Sequence, residues 1–144
     1  MRLSHPTSCF FALLLSGVLA CSSHREARTA QEFVEKYSKA WKSGDVDAIL
    51  AMRSRKKLVD IDLKPNMKKA FEEASIGDEK DEIEQSIKRH DFAYVSWSNT
   101  EYVSEQEHEG HIHVTVRVAG APSSIVLVRE GEVLKIHPNP SSFR

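Results

Sequence analysis

The chain has few cysteines and few glycines, and both shortages limit its chemistry. It contains two cysteines, Cys9 and Cys21, in 144 residues. Cys9 lies in a short N-terminal apolar segment, so a chain that loses this segment keeps one thiol and forms no internal disulfide. The six glycines are scattered, and no glycine-rich loop of the kind that cradles a phosphate is present.

Long apolar runs and an excess of one charge are also missing. The 20 lysines and arginines nearly balance the 21 aspartates and glutamates. A general nucleic-acid-binding protein needs a net basic surface, so we expect no nucleic-acid partner. The longest apolar run, residues 9–19, would rise about 17 Å as a helix, against about 30 Å of hydrocarbon. It is too short to span a bilayer and has the length of a signal-peptide core.

The residues that follow this run resemble a processing site. Val18-Leu19-Ala20-Cys21 is similar to the lipobox of bacterial lipoproteins, although Leu19 is larger than the residue usual there. The resemblance implies removal of residues 1–20 and acylation of Cys21, which makes the bilayer a partner. In Gram-negative sorting, Ser22 favours the periplasmic face of the outer membrane. The alternative is an ordinary secretory signal that happens to precede a cysteine.

The next segment predicts a short tether and then helices. Residues 21–28 form the lipidated cysteine and a polar tether. Thr29 and Glu32 have the spacing of a capping box at the start of a helix. Apolar residues then recur at helical spacing until Gly44, where the first helix should end, and Asp45 should cap a second helix.

A third helix and its successor are predicted from residue 65 onward. Pro65 suits the first turn of a helix. Gly77 should break this helix, Asp78 should restart it, and the charged continuation should end near His90. Residues 53–64 are interpreted as a connector.

After position 90 the apolar pattern changes to a period of two, which is typical of strands. The segment that follows should therefore be an antiparallel meander with a turn over residues 119–123. Phe92–Ser98 and Thr100–Gln106 are predicted as one long bent strand or two short strands. The strands that follow are one with Ile112, Val114, Val116 and Val118 on one face, Ser124–Arg129 and Glu132–His137. Residues 138–144 are interpreted as a frayed tail. The fold class is then α+β, with N-terminal helices packed on a curved antiparallel sheet of about four strands over residues 29–137.

Two segments carry a resemblance to a known superfamily. The first helix with Tyr37 and Trp41, followed by residues 43–48, resembles the opening of nuclear-transport-factor-2-like proteins, which include ketosteroid-isomerase-like enzymes. Residues 125–136 resemble the final hairpin of small envelope lipoproteins in that superfamily whose function is unassigned. The resemblance implies a cone-like domain with a pocket, and it transfers no catalytic residue.

Each candidate catalytic residue also has a structural interpretation. A ketosteroid-isomerase-like enzyme needs an inward carboxylate or histidine beside a tyrosine, and the predicted inward stripe contains no acid. His90 and Asp91 are interpreted as a solvated helix end, and Tyr37 as a core residue. Tyr94 and Tyr102 are further hydroxyl donors. No catalytic residue is assigned and no cofactor is expected.

Two side-chain groups could bind something. His111 and His113 share one strand face, with His108 and His137 nearby in the predicted sheet, so they are weak candidates for a zinc or copper site. The alternative is a solvated outer face. The basic cluster Arg53, Arg55, Lys56 and Lys57 could contact anionic lipid headgroups, or could be an ordinary solvated loop.

The sequence therefore predicts a membrane-anchored cell-envelope lipoprotein that acts as a non-enzymatic binding or protein-interaction module. Its partner would be an envelope protein or a small apolar ligand. The alternative is a small ketosteroid-isomerase-like enzyme with a pocket inside the cone.

Overall fold

A computed structural model describes residues 26–55 and 65–137. The helices are α1 (Ala30–Ser43), α2 (Val46–Ala51), α3 (Pro65–Arg89) and α4 (Phe92–Ser98). The strands are β1 (Thr100–His108), β2 (His111–Val118), β3 (Ala121–Glu130) and β4 (Val133–Ile136). The proposed signal, Cys21, most of the tether, Lys56, Lys57 and the tail of residues 138–144 lie outside the described residues.

The first helix begins and ends where its capping residues predict. The Thr29 hydroxyl accepts a hydrogen bond from the Glu32 amide at 3.2 Å, and the Glu32 carboxylate accepts one from the Arg28 amide at 3.0 Å. Gly44 ends α1 with φ 70°, a left-handed conformation that glycine adopts without steric cost. The Asp45 carboxylate then accepts from the Ala48 amide and starts α2.

Two secondary-structure predictions were wrong. Gly77 does not break α3, which is continuous over 25 residues, because one glycine costs a helix only about 1 kcal/mol and good helix formers surround it. Phe92–Ser98 is a helix rather than a strand. The Asp91 carboxylate accepts from the amides of Ala93 and Tyr94, and this N-cap outweighs the short period-two pattern.

The four strands form one antiparallel sheet in the order β1-β2-β3-β4. A bulge between Tyr102 and Ser104 interrupts the pairing of β1 with β2. The turn from β2 to β3 is tighter than predicted, because Ala119 and Gly120 both have positive φ and β3 begins at Ala121. The inward face of the sheet is apolar and buried: Ile112, Val114, Val116, Ile125, Leu127, Leu134 and Ile136.

The helices cover this one face of the sheet, with α1 packed against β1, α4 and α2. The segment after α2 runs beside β4, where the Ser54 amide donates to the Ile136 carbonyl at 3.0 Å. The α+β class and the four-stranded antiparallel sheet are thus confirmed. None of the helices in the two described ranges has the length and apolarity required to cross a bilayer.

Candidate functional site

Four buried aromatic rings lie in the core that the helices share with the sheet. Phe33, Tyr37 and Trp41 follow one another at four-residue spacing, so they share one face of α1. The centroid of the Tyr37 ring lies 5.4 Å from Phe33, 6.3 Å from Trp41 and 4.8 Å from Trp97 on α4. All four side chains are buried. These rings belong to the hydrophobic core of the domain.

A polar network sits at the edge of this aromatic cluster. The Arg53 guanidinium donates through Nε to the Tyr37 hydroxyl at 3.0 Å and through Nη1 to the Glu79 carboxylate. Arg55 donates to the other oxygen of Glu79. The four side chains, which we call the Arg53 network, join α1, the segment after α2 and the middle of α3.

The charges of the Arg53 network stabilise one another. Burial alone would raise the pKa of Glu79, but the hydrogen bonds and charges of Arg53 and Arg55 outweigh it and hold the pKa below its ordinary value. Burial likewise opposes the charge on Arg53, yet contacts with Tyr37 and Glu79 raise its pKa. Both groups are therefore ionised at neutral pH.

This geometry suits a structural role better than proton transfer. A general base needs an oxygen free to reach the substrate proton and is weakened when its pKa falls, whereas both oxygens of Glu79 accept from arginines and the pKa of Glu79 is lowered. The Tyr37 hydroxyl already accepts from Arg53, and its ring is buried. The network locks α3 onto α1, with the segment after α2 between them.

Substitution of Glu79 by glutamine tests whether the Arg53 network stabilises the packing of these segments. Because the pKa of Glu79 falls on folding, its charge contributes stability that is complete above its ordinary value of 4.5 and is lost as the pH falls through the lowered value. We expect Glu79→Gln to lower the free energy of unfolding by about 2 kcal/mol at pH 7, and by progressively less below pH 4.5. Urea unfolding at several pH values measures both effects.

The control is Glu84→Gln, which removes an exposed carboxylate 4.0 Å from Lys80 on the same helix. Such surface pairs contribute a few tenths of a kcal/mol at most. Equal losses in the two variants, or a loss from Glu79→Gln that does not change with pH, would contradict a stabilising role for the network.

The other candidate catalytic residues occupy local positions. Asp91 caps α4 and accepts from the Ser86 hydroxyl, and its pKa is lowered mainly by that hydrogen bond. The His90 ring packs edge-on against Tyr94 with centroids 4.5 Å apart. The Tyr102 hydroxyl is 3.3 Å from the exposed Glu105 carboxylate. Asp91, His90 and Tyr94 therefore lie at the α3–α4 junction, and Tyr102 lies on β1.

Four histidines form two ring pairs on the outer face of the sheet. The rings of His108 and His113 have centroids 6.4 Å apart, and those of His111 and His137 are 5.5 Å apart. Within residues 26–55 and 65–137, no three histidine, cysteine or acidic side chains are grouped so that they could hold a metal ion. The histidines that the sequence placed together on one face of the sheet therefore form two separate ring pairs.

An open groove lies between α1 and β1. It encloses about 470 Å³ and is lined by Gln31, Val34, Glu35, Ser38, Lys39, Lys42, Thr100, Glu101 and Tyr102. Its walls carry charges of both signs, from Glu35, Lys39, Lys42 and Glu101.

Sequence reasoning missed two features. Glu79 is one acid among many on α3, and nothing in its spacing distinguishes it from the others. The period-two pattern places Phe92 and Val95 on a half-buried strand, but on α4 both are exposed. The available signal for that helix was Asp91, an N-cap residue type that directly precedes the apolar residue Phe92.

Comparison with known proteins adds little to this description. No protein-family model and no curated protein matches the sequence. A solved structure from Campylobacter jejuni, provisionally described as an NTF2-like transpeptidase, is similar to 76% of this chain and 94% of its own, with 15% identity and a TM-score of 0.43. Similarity at this level carries no argument about this chain.

Proposed function

We propose that the protein is a lipid-anchored component of the bacterial cell envelope that acts as an interaction module. One observation carries this proposal. An apolar run of residues 9–19, too short to span a bilayer, ends two residues before Cys21, the last cysteine in the chain. A single acyl chain holds a protein weakly, whereas two or more chains hold it firmly, so a multiply acylated Cys21 would be a stable anchor.

The interior supports a binding role over a catalytic one. The rings of Trp41 and Trp97 both pack against Tyr37 in the buried core. Glu79 is held in its charged form by two arginines. A module with this interior recognises its partner through its surface, and the partner we propose is the bilayer together with another envelope protein.

Only part of the positive charge of the basic cluster is available to attract anionic headgroups. Arg53 and Arg55 share the Glu79 carboxylate, so these three groups contribute one net positive charge. Lys56 and Lys57 would supply the remaining attraction to anionic headgroups.

Mass spectrometry of the native protein tests the anchor. The N-terminal peptide should begin at Cys21 and carry a diacylglycerol thioether with an acylated amine. The physical reason is that the mature chain has no other thiol and no apolar run of spanning length. An N-terminus at another residue, or an unmodified Cys21, would refute the proposal.

A further inference from the structure

One edge of the sheet is covered and the other is open. At the β4 edge, the Ile136 amide donates to the Met52 carbonyl at 2.9 Å and the Leu134 amide donates to the Ala27 carbonyl at 2.7 Å. Among the described residues, no strand pairs with the side of β1 that faces away from β2. Such an edge exposes a row of amides and carbonyls that can pair with the backbone of another extended segment.

The ladder between β1 and β2 shows which backbone groups face the open side. The Ala119 amide donates to the Asn99 carbonyl at 3.0 Å, and hydrogen-bonded pairs alternate with non-bonded pairs along an antiparallel ladder. The backbone groups of Tyr102, an odd number of positions from Asn99, therefore face away from β2. Beyond the bulge, Glu105 and Glu107 pair with β2 residues two and four positions from the partner of Tyr102, so their backbone groups also face away from β2.

These outward backbone groups can accept an added strand. Tyr102 is half-buried, whereas Glu105 and Glu107 are exposed. In the part of the chain that the structure describes, no backbone group bonds to the amide or carbonyl of any of the three on the open side. The edge thus offers alternating donors and acceptors, and an extended backbone is the partner that satisfies them in this order.

The groove between α1 and β1 lies along the same edge. Its β1 wall consists of Thr100, Glu101 and Tyr102, its other wall is one stripe of α1, and none of the described β2 residues lines it. A strand added about 4.8 Å from β1 would pass through this groove and then lie beside the exposed residues 103–108.

Negative charge predominates on the exposed part of this edge. Strand β1 contains no lysine or arginine, and Glu105 and Glu107 form no ion pair with any described residue. Glu101, in contrast, is paired with Arg117, and the charges that line the groove cancel. Opposite charges on neighbouring strands stabilise their pairing, so the unpaired carboxylates favour an added strand that carries lysine or arginine.

The same charges disfavour a second copy of this chain as the occupant. Antiparallel pairing of two β1 strands would place the unpaired carboxylates of both copies on neighbouring strands, and neither strand supplies a basic side chain. Like charges on neighbouring strands destabilise their pairing. The bulge between Tyr102 and Ser104 also interrupts the regular edge, a feature that protects sheet edges from self-association.

We propose that β1 binds an extended, lysine- or arginine-bearing segment of another envelope protein as a fifth strand of the sheet. Hydrogen bonds to the backbone of Tyr102, Glu105 and Glu107 hold the segment, and the two carboxylates select basic side chains. This inference rests on the proposed function as an interaction module and adds the surface and the chemistry of the partner. It does not require the lipid on Cys21.

The test measures amide hydrogen exchange by NMR in the native full chain, kept in a neutral detergent. The probe is a capped peptide of alternating lysine and valine with the nine-residue length of β1, and the control peptide has glutamate in place of each lysine. At saturation with the lysine peptide, the amides of Tyr102, Glu105 and Glu107 should exchange about tenfold more slowly, because each gains an acceptor. The Gln106 amide, which faces β2, should not change.

A charge reversal tests the selection of basic side chains. Glu107→Lys should weaken binding of the lysine peptide about fivefold, as expected for loss of one exposed ion pair, and should strengthen binding of the glutamate peptide. The matched control is Glu84→Lys, which changes the net charge equally but lies on α3, and it should leave both affinities unchanged.

Protection of alternate β1 amides by the lysine peptide, with the preference reversed in Glu107→Lys, supports the proposal. Absence of protection, protection of other amides only, or equal protection by the two peptides overturns it. Protection that grows with protein concentration in the absence of peptide would assign the edge to a second copy and overturn the basic partner. Mass spectrometry of the same sample reports the anchor separately, because an unmodified Cys21 refutes the anchor and leaves the peptide result valid.

Discussion

Replacement of Cys21 by serine should abolish fatty-acid incorporation into the protein. The acyl donor is attacked by a thiolate, and a serine hydroxyl is not ionised at neutral pH and cannot take its place. Each buried methylene contributes about 0.8 kcal/mol to membrane binding, so loss of the chains removes the anchor entirely. Labelling cells with a radioactive fatty acid, followed by electrophoresis of the purified protein, measures the effect.

The chain offers a matched control for this substitution. Cys9 is its other cysteine and lies inside the apolar run, so Cys9→Ser should leave the label unchanged. Label that persists in Cys21→Ser, or disappears in Cys9→Ser, would show that Cys21 is not the acylated residue. Secretion of an unlabelled wild-type chain would instead favour the ordinary secretory signal considered from the sequence.

The parts of the fold that the sequence predicted are those governed by local chemistry. Thr29 and Gly44 bound α1 because a hydroxyl cap and a left-handed glycine act on neighbouring backbone groups. The stripe of Ile112, Val114 and Val116 is buried as expected, because strict alternation allows only one face of a strand to meet the core. Such signals need no knowledge of distant residues.

The two wrong secondary-structure predictions lie where the local sequence pattern fits both a helix and another structure. Phe92–Ser98 has a pattern that fits either a short strand or a two-turn helix, and seven residues are too few for periodicity to decide. Tertiary packing favours the helix, in which Trp97 packs edge-on against Tyr37 of α1. At Gly77 the free-energy cost of one glycine in a helix is about 1 kcal/mol, and the helix propensities of the flanking residues outweigh this cost.

The candidate site could be predicted only in part for the same reason. Tyr37 was expected in the core and is buried there. Arg53, which donates to the Tyr37 hydroxyl, lies 16 residues from Tyr37 in the sequence. Glu79, which accepts from Arg53, lies 26 residues from Arg53. No spacing rule connects such positions, because only the packing of α3 against the segment after α2 brings them together. From the sequence the basic cluster was either a contact for lipid headgroups or a solvated loop, and neither interpretation included the ion pairs of Arg53 and Arg55 with Glu79.

The second large effect is expected from Tyr37→Ala. This substitution removes a ring that contacts Phe33, Trp41 and Trp97, and it leaves the Nε of Arg53 without its acceptor. Loss of a buried aromatic side chain costs about 3–5 kcal/mol, a large share of the roughly 5–15 kcal/mol that stabilises a domain. We expect a urea midpoint far below that of the wild type, measured by tryptophan fluorescence and circular dichroism together.

Tyr37→Phe separates packing from hydrogen bonding at the same position. It keeps the ring and removes only the hydroxyl, so the expected loss is about 1.5 kcal/mol, the cost of an unmet hydrogen bond to a charged group. Combined with Glu79→Gln it should cost less than the sum of the single losses, because both substitutions act on Arg53. Additive losses would show that Tyr37 and Glu79 stabilise the domain independently, and a loss from Tyr37→Phe as large as that from Tyr37→Ala would mean that the hydroxyl, rather than the filled interior, dominates at this site.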